Sequence, residues 1–294
     1  MIAIYLFGAT ILGLIFGSFL SMLIPRLHGK EKGIFFGRSH CQFCKHILEA
    51  RDLIPLLSYI FLGGKCRFCK KKISPWYPLT EISMALLFGL MFFMIKDLYA
   101  FLLITPSLIA LGFIFFYDLR YKEVHDAVLI PGIIWVLAVS ILQGNAVSSL
   151  LGAGIAGGFF GLQYLISKGK WIGSGDIYIG IFMGLFLGWQ NTLIGLMLGY
   201  IIGSVVGVAL LISKRAEPNT AVPLGPFLVL GTMLAFLYGK DLIAFYFSTG
   251  RFGFLQAELA QGFGQGVRQK NQNNSKNWCP TTLCWKKLGI GGVL

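Results

Sequence analysis

Two aspartates in this chain stand where a carboxylate is costly. Asp118 closes the apolar run 101–117, and Asp176, in Gly173-Ser174-Gly175-Asp176, opens the apolar run 177–187. An ionisable group at membrane depth is expensive and points to function. Each has an ordinary alternative: Asp176 as a helix N-cap, Asp118 as a solvated interfacial charge beside Arg120 and Lys122. As a pair at one depth they suit a specific chemistry. Two carboxyls, one protonated and one ionised across a shared water, can hydrolyse a peptide bond. Their repulsion and partial desolvation split the titration into two coupled steps. Gly175 leaves the flank of Asp176 bare, which predicts room for a substrate strand. Glu81 is placed to cap or line a site near the start of its span; Asp52, Asp97, Asp126 and Asp241 are poorer candidates.

A second constellation is Cys41-Gln42-Phe43-Cys44 with Cys66-Arg67-Phe68-Cys69. Two Cys-x-x-Cys knuckles at zinc-ribbon separation can present four thiolates tetrahedrally to one zinc, a structural site with no open position. Cys41, Cys44, Cys66 and Cys69 are therefore the expected metal ligands, in a reducing compartment that disfavours disulfides. His40 and His46 flank the first knuckle and read as surface histidines. Four unrelated thiols, or a redox pair, fit the doubled spacing less well.

The elements that must position these groups are membrane spans. The 294 residues are 56% hydrophobic and 13% charged, with mean hydropathy +0.74, whereas a soluble domain carries roughly a quarter charged residues. A net charge of +13 would suggest nucleic acid in a soluble protein. Here the basic residues cluster in loops, as in the pattern that orients membrane proteins, so no nucleic-acid partner is expected. Residues 1–25 lack a basic n-region and a cleavage site, and read as a retained first span. Apolar segments at 2–25, 79–95, 98–117, 127–142, 147–166, 177–187, 192–212 and 223–238 predict an all-α polytopic protein of about eight spans in a lipid bilayer. The last pair but one is expected to form a hairpin about Trp189-Gln190-Asn191. The loop 26–77, rich in Lys and Arg, is placed in the cytoplasm, and the loops holding Arg120 and Lys122, Lys168 and Lys170, and Lys214 and Arg215 then fall on the same side. Both aspartates land at that face. The expected organisation is a first transmembrane helix at 1–25, a cytoplasmic tetracysteine zinc subdomain at 26–77, a transmembrane core at 78–248 and a disordered C-terminal extension at 249–294.

Several motifs, taken in order, resemble the type IV prepilin peptidases (prepilin leader peptidase/N-methyltransferase), membrane aspartic proteases of the Gly-x-Gly-Asp type. They are Gly17-Ser18-Phe19-Leu20 with Arg26-Leu27, the two knuckles, Ile54-Pro55-Leu56-Leu57-Ser58-Tyr59, Ile73-Ser74-Pro75-Trp76-Tyr77-Pro78-Leu79-Thr80-Glu81, Tyr117-Asp118-Leu119-Arg120, Gly173-Ser174-Gly175-Asp176 and Pro223-Leu224-Gly225-Pro226-Phe227. The likeness covers about residues 12–238. It implies that Asp118 and Asp176 are catalytic in the core 78–248, and that the enzyme removes the short basic leader of prepilins or pseudopilins at the cytoplasmic face of the bacterial inner membrane, for type IV pili or type II secretion. It also implies N-methylation of the new N-terminus with S-adenosylmethionine, and structural zinc on the four cysteines. Val124-His125-Asp126 replaces the usual Ile-Pro-Asn/Asp, Tyr178 a common Lys, and Met22 a usual Asn. These departures bear on substrate preference. Rival readings are a peptidase without methylation, a proton-coupled transporter relaying protons through the paired acids, and a membrane-anchored zinc adaptor. No glycine-rich cofactor loop of a soluble methyltransferase is visible, so methylation rests on the resemblance.

Overall fold

The computed structural model describes residues 2–29, 39–41, 43–213 and 222–249. Among the described residues the regular elements are helical: α1 (Ile2–His28), α2 (Leu57–Phe61), α3 (Trp76–Ile95), α4 (Leu98–Tyr121), α5 (Asp126–Leu142), α6 (Ala146–Ser167), α7 (Ser174–Ile212) and α8 (Gly225–Thr249). The chain divides into two compact units, Met1–Gly239 and Lys240–Leu294. Of the second, only the end of α8 is described. The expected tail beyond Thr249, with Cys279 and Cys284, and the loop pair Lys214 and Arg215 lie outside the described residues.

Six of these helices are long and apolar enough to cross a membrane, and α5 is a shorter apolar helix. Their outer surfaces remain apolar: Ile4 is 72% exposed and Val147 74%. Lipid removes the hydrophobic drive for helices to associate, so close packing must come from small residues at the contacts. Gly13 and Gly17 of α1 supply it against α3, where a Cβ on Gly13 would meet the Met84 carbonyl at 2.5 Å.

The 39 residues of α7 are two antiparallel arms broken at Gly188, whose φ of 72° and ψ of 168° no helix accommodates. A straight helix would hold Gly180 and Tyr200 about 30 Å apart. Instead both reach Phe160 of α6, a Cβ on Gly180 falling 2.5 Å from its ring and the Tyr200 ring centroid lying 6.4 Å away. Gly195 of the second arm likewise lies over Met183 and Leu187 of the first. The reversal comes one residue earlier than the expected turn, and Trp189, Gln190 and Asn191 are helical. Gly184 and Gly152 touch backbone to backbone, clamping α6 onto the first arm. The second arm also meets α8, which packs through Gly231 against Gly195 and Gly199.

One end of the bundle gathers five helix termini. His28, ending α1, stacks on Tyr121, ending α4, at 3.8 Å. Trp76, opening α3, meets Phe116 edge-on at 5.7 Å and lies 5.2 Å from the Arg120 guanidinium. The starts of α7 and α8 arrive at the same end through the contacts of the two aspartates.

Candidate active site and metal centre

Asp118 lies in the last turn of α4, 6% exposed. Its Oδ2 accepts the Gly225 N–H at 2.8 Å. Gly225 is the first residue of α8, and the amides of a first turn have no partner within their own helix. Pro226 next to it has no N–H at all, so the carboxylate takes the one donor that needs it. The fit requires glycine, because a Cβ there would fall 2.6 Å from the same oxygen.

The ordinary alternative for Asp176, a helix N-cap, does not hold in the structure. The N-cap is Gly173, and Asp176 sits inside the first turn of α7. There its Oδ2 reaches back to accept the Gly173 N–H at 3.0 Å. This is the acidic half of a capping box; glycine cannot supply the other half. Each aspartate thus accepts a hydrogen bond through one oxygen at the positive end of a helix.

The structure brings the pair together. Val124, just after α4, packs its side chain on Gly175, where a Cβ would fall 2.6 Å from the valine Cβ. The two carboxyls lie within electrostatic range of each other, with Lys122 also acting on Asp118. The bare flank of Gly175 therefore receives Val124 of this chain, rather than standing open for a substrate strand.

Two residues at the site carried no signal in the sequence reading. Asp176 and Tyr200 stand equally far from Gly188, so the hairpin sets them side by side, within electrostatic range. The Tyr200 hydroxyl pairs with the Gln163 amide at 3.2 Å, and its ring lies against Phe159 at 5.7 Å. A tyrosine and a glutamine in two apolar helices give a clue only once the arms are known to fold back. The other acids are accounted for locally. Asp97 caps α4, accepting from Tyr99 and Ala100 N–H. His125, not Asp126, caps α5. Asp52 is buried and pairs with Arg67 at 2.7 Å.

The cysteines form a second centre. The two knuckles share one geometry. Cys41 N–H donates to the His46 carbonyl and Lys45 N–H to the Cys41 carbonyl, both at 2.9 Å. Cys66 and Lys71, and Lys70 and Cys66, repeat the pattern at 2.9 and 3.0 Å. Lys45 and Lys70 both take the left-handed conformation, and the bridges His40–Ile47 and Lys65–Lys72 close the two loops alike. Their four Sγ atoms lie within 4.8 Å of one another, with neither histidine among them. Four sulfurs about 2.3 Å from one zinc in a tetrahedron stand about 3.8 Å apart, and Cys41 and Cys69 Sγ are 3.8 Å apart. Burial opposes a thiolate at Cys41, but the N–H groups of Cys44 and Phe43 outweigh it and bring its pKa down to about 6. The donor set fits zinc.

Residues 103–208, which hold both aspartates, match the type IV leader peptidase family, and residues 11–95, which hold the knuckles, match the bacterial peptidase A24 N-terminal domain. The chain is 30% identical to the prepilin leader peptidase/N-methyltransferase of Stutzerimonas stutzeri, over 83% of this chain and 94% of that one. The chain belongs to the type IV leader peptidase family. A prepilin leader peptidase/N-methyltransferase of Bacillus subtilis is 31% identical, over 80% of this chain and 95% of that one. That of Pseudomonas aeruginosa is 29% identical, over 80% and 91%. No solved structure matches this family member.

Proposed function

We propose that this protein is a membrane aspartic endopeptidase that removes the short basic leader of prepilins or pseudopilins, and then N-methylates the exposed amine. The observation that carries the peptidase assignment is the meeting of Asp118 and Asp176, each tied by one oxygen to a helix N-terminus. In this reading the two carboxyls, within electrostatic range of each other, act on one water. One carboxylate takes a proton from a water as it attacks the scissile carbonyl, and the protonated partner gives its proton to the leaving amine. The proton-relay transporter has no comparable support, since both aspartates lie in a segment matching a peptidase family.

In this proposal the site end of the bundle faces the cytoplasm of a bacterial inner membrane, because Arg26, Arg120, Lys122, Lys168 and Lys170 lie at that end. Counting the two arms of α7 and the shorter α5 separately gives eight crossings. Cys41, Cys44, Cys66 and Cys69 hold one zinc that supplies fold and leaves no position for water. S-adenosylmethionine, when bound, supplies an electrophilic methyl group to the new amine, as the N-methyltransferase in the relatives' names suggests.

Co-expression with a prepilin tests the proposal, its N-terminus read by mass spectrometry. Wild-type protein should yield the leaderless, methylated pilin. Asp118→Asn and Asp176→Asn should each leave the full-length prepilin while remaining in the membrane. Near-normal processing by either variant would overturn the dyad.

A further inference from the structure

The knuckle segment carries an apolar face that no described residue covers. Leu53, Ile54, Leu57, Ile60 and Phe61 are all exposed, Phe61 at 83%. In α2 the positions 57, 60 and 61 share one side, at spacings of three and four. Ser58 and Tyr59 turn the other way and line a cavity shared with α1 and α3. Five large apolar side chains held out from a polar segment mark an interaction surface.

What fixes α2 in place also fixes its depth. Glu81 lies in the second turn of α3, with Gly17 of α1 pressed against its Cα. It accepts the Leu56 N–H at 2.7 Å and a hydrogen bond from the Ser18 hydroxyl. Leu56 sits at φ 61° and ψ −48°, and Leu57 N–H donates to the Pro55 carbonyl at 2.6 Å. Residues 55–57 are therefore a γ-turn of the positive-φ kind, rare and strained for a leucine. The turn aims the Leu56 amide at α3 and starts α2 directly beside it. The 20 residues of α3 make about 30 Å of helix, and the hydrocarbon core is about 30 Å thick. The first turn of α3 therefore stands at the edge of the hydrocarbon, where its exposed Leu79 and Ile82 meet lipid. A glutamate side chain leans back toward the start of its helix. The Leu56 amide, and α2 after it, thus lie level with that edge.

The charge beside α2 agrees. Lys65 follows α2 closely and pairs with Lys72 in an antiparallel bridge, both side chains exposed. Like charges set opposite each other repel. Glu49 and Asp52 are taken by Arg51 and Arg67, so no carboxylate among the described residues pairs with the two lysines. We infer that residues 53–61 dock into the leaflet at the site end of the bundle. Leu57, Ile60 and Phe61 enter the acyl boundary, and Lys65 and Lys72 rest on anionic lipid headgroups. An interfacial helix buries its apolar face about 5–10 Å into that boundary, aided by basic neighbours. The level of α2 favours lipid over a protein partner, because the hydrocarbon edge already lies beside the face. The knuckle segment, tied to the bilayer through α1 and α3, thereby gains a third attachment.

The test uses the full-length, zinc-loaded protein in vesicles of phosphatidylcholine and phosphatidylglycerol. A photoreactive benzoylphenylalanine takes the place of Phe61 or, as a lipid-facing reference, of Leu79, one position per protein. Adducts formed on illumination are identified by mass spectrometry; zinc content and melting temperature check the fold. Position 61 should give phospholipid adducts at a yield comparable with position 79. Phosphatidylglycerol should be enriched in them by about fivefold, the attraction of one lysine for an anionic surface. Lys65→Gln/Lys72→Gln should bring that ratio down toward the bulk lipid composition. Lipid adducts at position 79 but none at position 61 would overturn the docking. So would adducts at position 61 to a co-expressed prepilin, which would make the face a substrate surface, or to a second copy of the chain. An enrichment unchanged in the lysine variant would overturn the headgroup contact.

Discussion

The two acidic sites of this molecule are held in opposite ways. Around Asp118 and Asp176 the support is helical. Each carboxylate borrows an amide from a helix start, and glycine contacts in α6, α7 and α8 fix the helices. Around Glu81 the support is a loop, a strained turn beside a segment pinned by four thiols and the Asp52–Arg67 pair. The difference is physical. Helices in lipid satisfy their own backbone, so a site at their ends needs only close packing to be rigid. A polar loop of this length has too little apolar surface to hold itself, and borrows its order from a metal. The dyad should therefore survive loss of the metal, and the Glu81 region should not.

The largest expected effects come from crossing the two sites. Asp176→Asn should lose leader cleavage by about 10²–10⁴-fold or more, the scale of a missing general acid or base. It should still methylate a pre-cleaved pilin presented with a free N-terminus. Cys41→Ser/Cys66→Ser should lose its zinc by metal analysis and lose methyl transfer, while cleaving a saturating leader substrate at a measurable rate. Methyl transfer lost in Asp176→Asn but intact in the zinc-free protein would show the two activities assigned to the wrong regions.

A smaller effect sharpens the helical half. Gly225→Ala places a methyl 2.6 Å from the Asp118 oxygen that the Gly225 amide holds. The carboxylate must swing away, and displacement of a reacting group by about 1 Å can cost about 10²-fold. Cleavage should fall by about ten- to a hundredfold at unchanged zinc content, measured on a leader peptide. Unchanged cleavage would mean that the amide does not set the position of Asp118.

Much of this was legible in the sequence because residue type and spacing alone carry it. Long apolar runs must be helices in lipid, doubled Cys-x-x-Cys has few uses, and an aspartate at the mouth of an apolar run asks for a reason. What stayed hidden depended on contacts between distant residues. The break at Gly188 is one glycine among Gly180, Gly184, Gly195 and Gly199, and only packing on α6 shows which one reverses the chain. Val124 filling the flank of Gly175 needs the α4–α5 loop in place. Leucine has no propensity for the conformation of Leu56, so no local rule predicts it; Glu81, far along the chain, accepts the amide that this turn presents.

The smallest effect concerns what the hairpin adds to the dyad. Tyr200 comes from the second arm of α7, and its hydroxyl, paired with Gln163 at 3.2 Å, lies in electrostatic range of Asp176. Its ring is held independently by Phe159 and Phe160. Tyr200→Phe therefore keeps the packing and removes one hydroxyl. A hydrogen bond of this kind contributes about 1 kcal/mol, which is about fivefold if all of it is expressed in the transition state. If the pair only braces α6 against the second arm, the loss should appear in thermal stability and leave kcat unchanged. If it orders the surroundings of Asp176, kcat for leader cleavage should fall by about that factor with KM unchanged, and Gln163→Leu should give the same loss. Because both variants interrupt one pair, the double variant should be no worse than either single. Additive losses in the double variant would show that the two side chains act separately, and that the hairpin contributes packing alone.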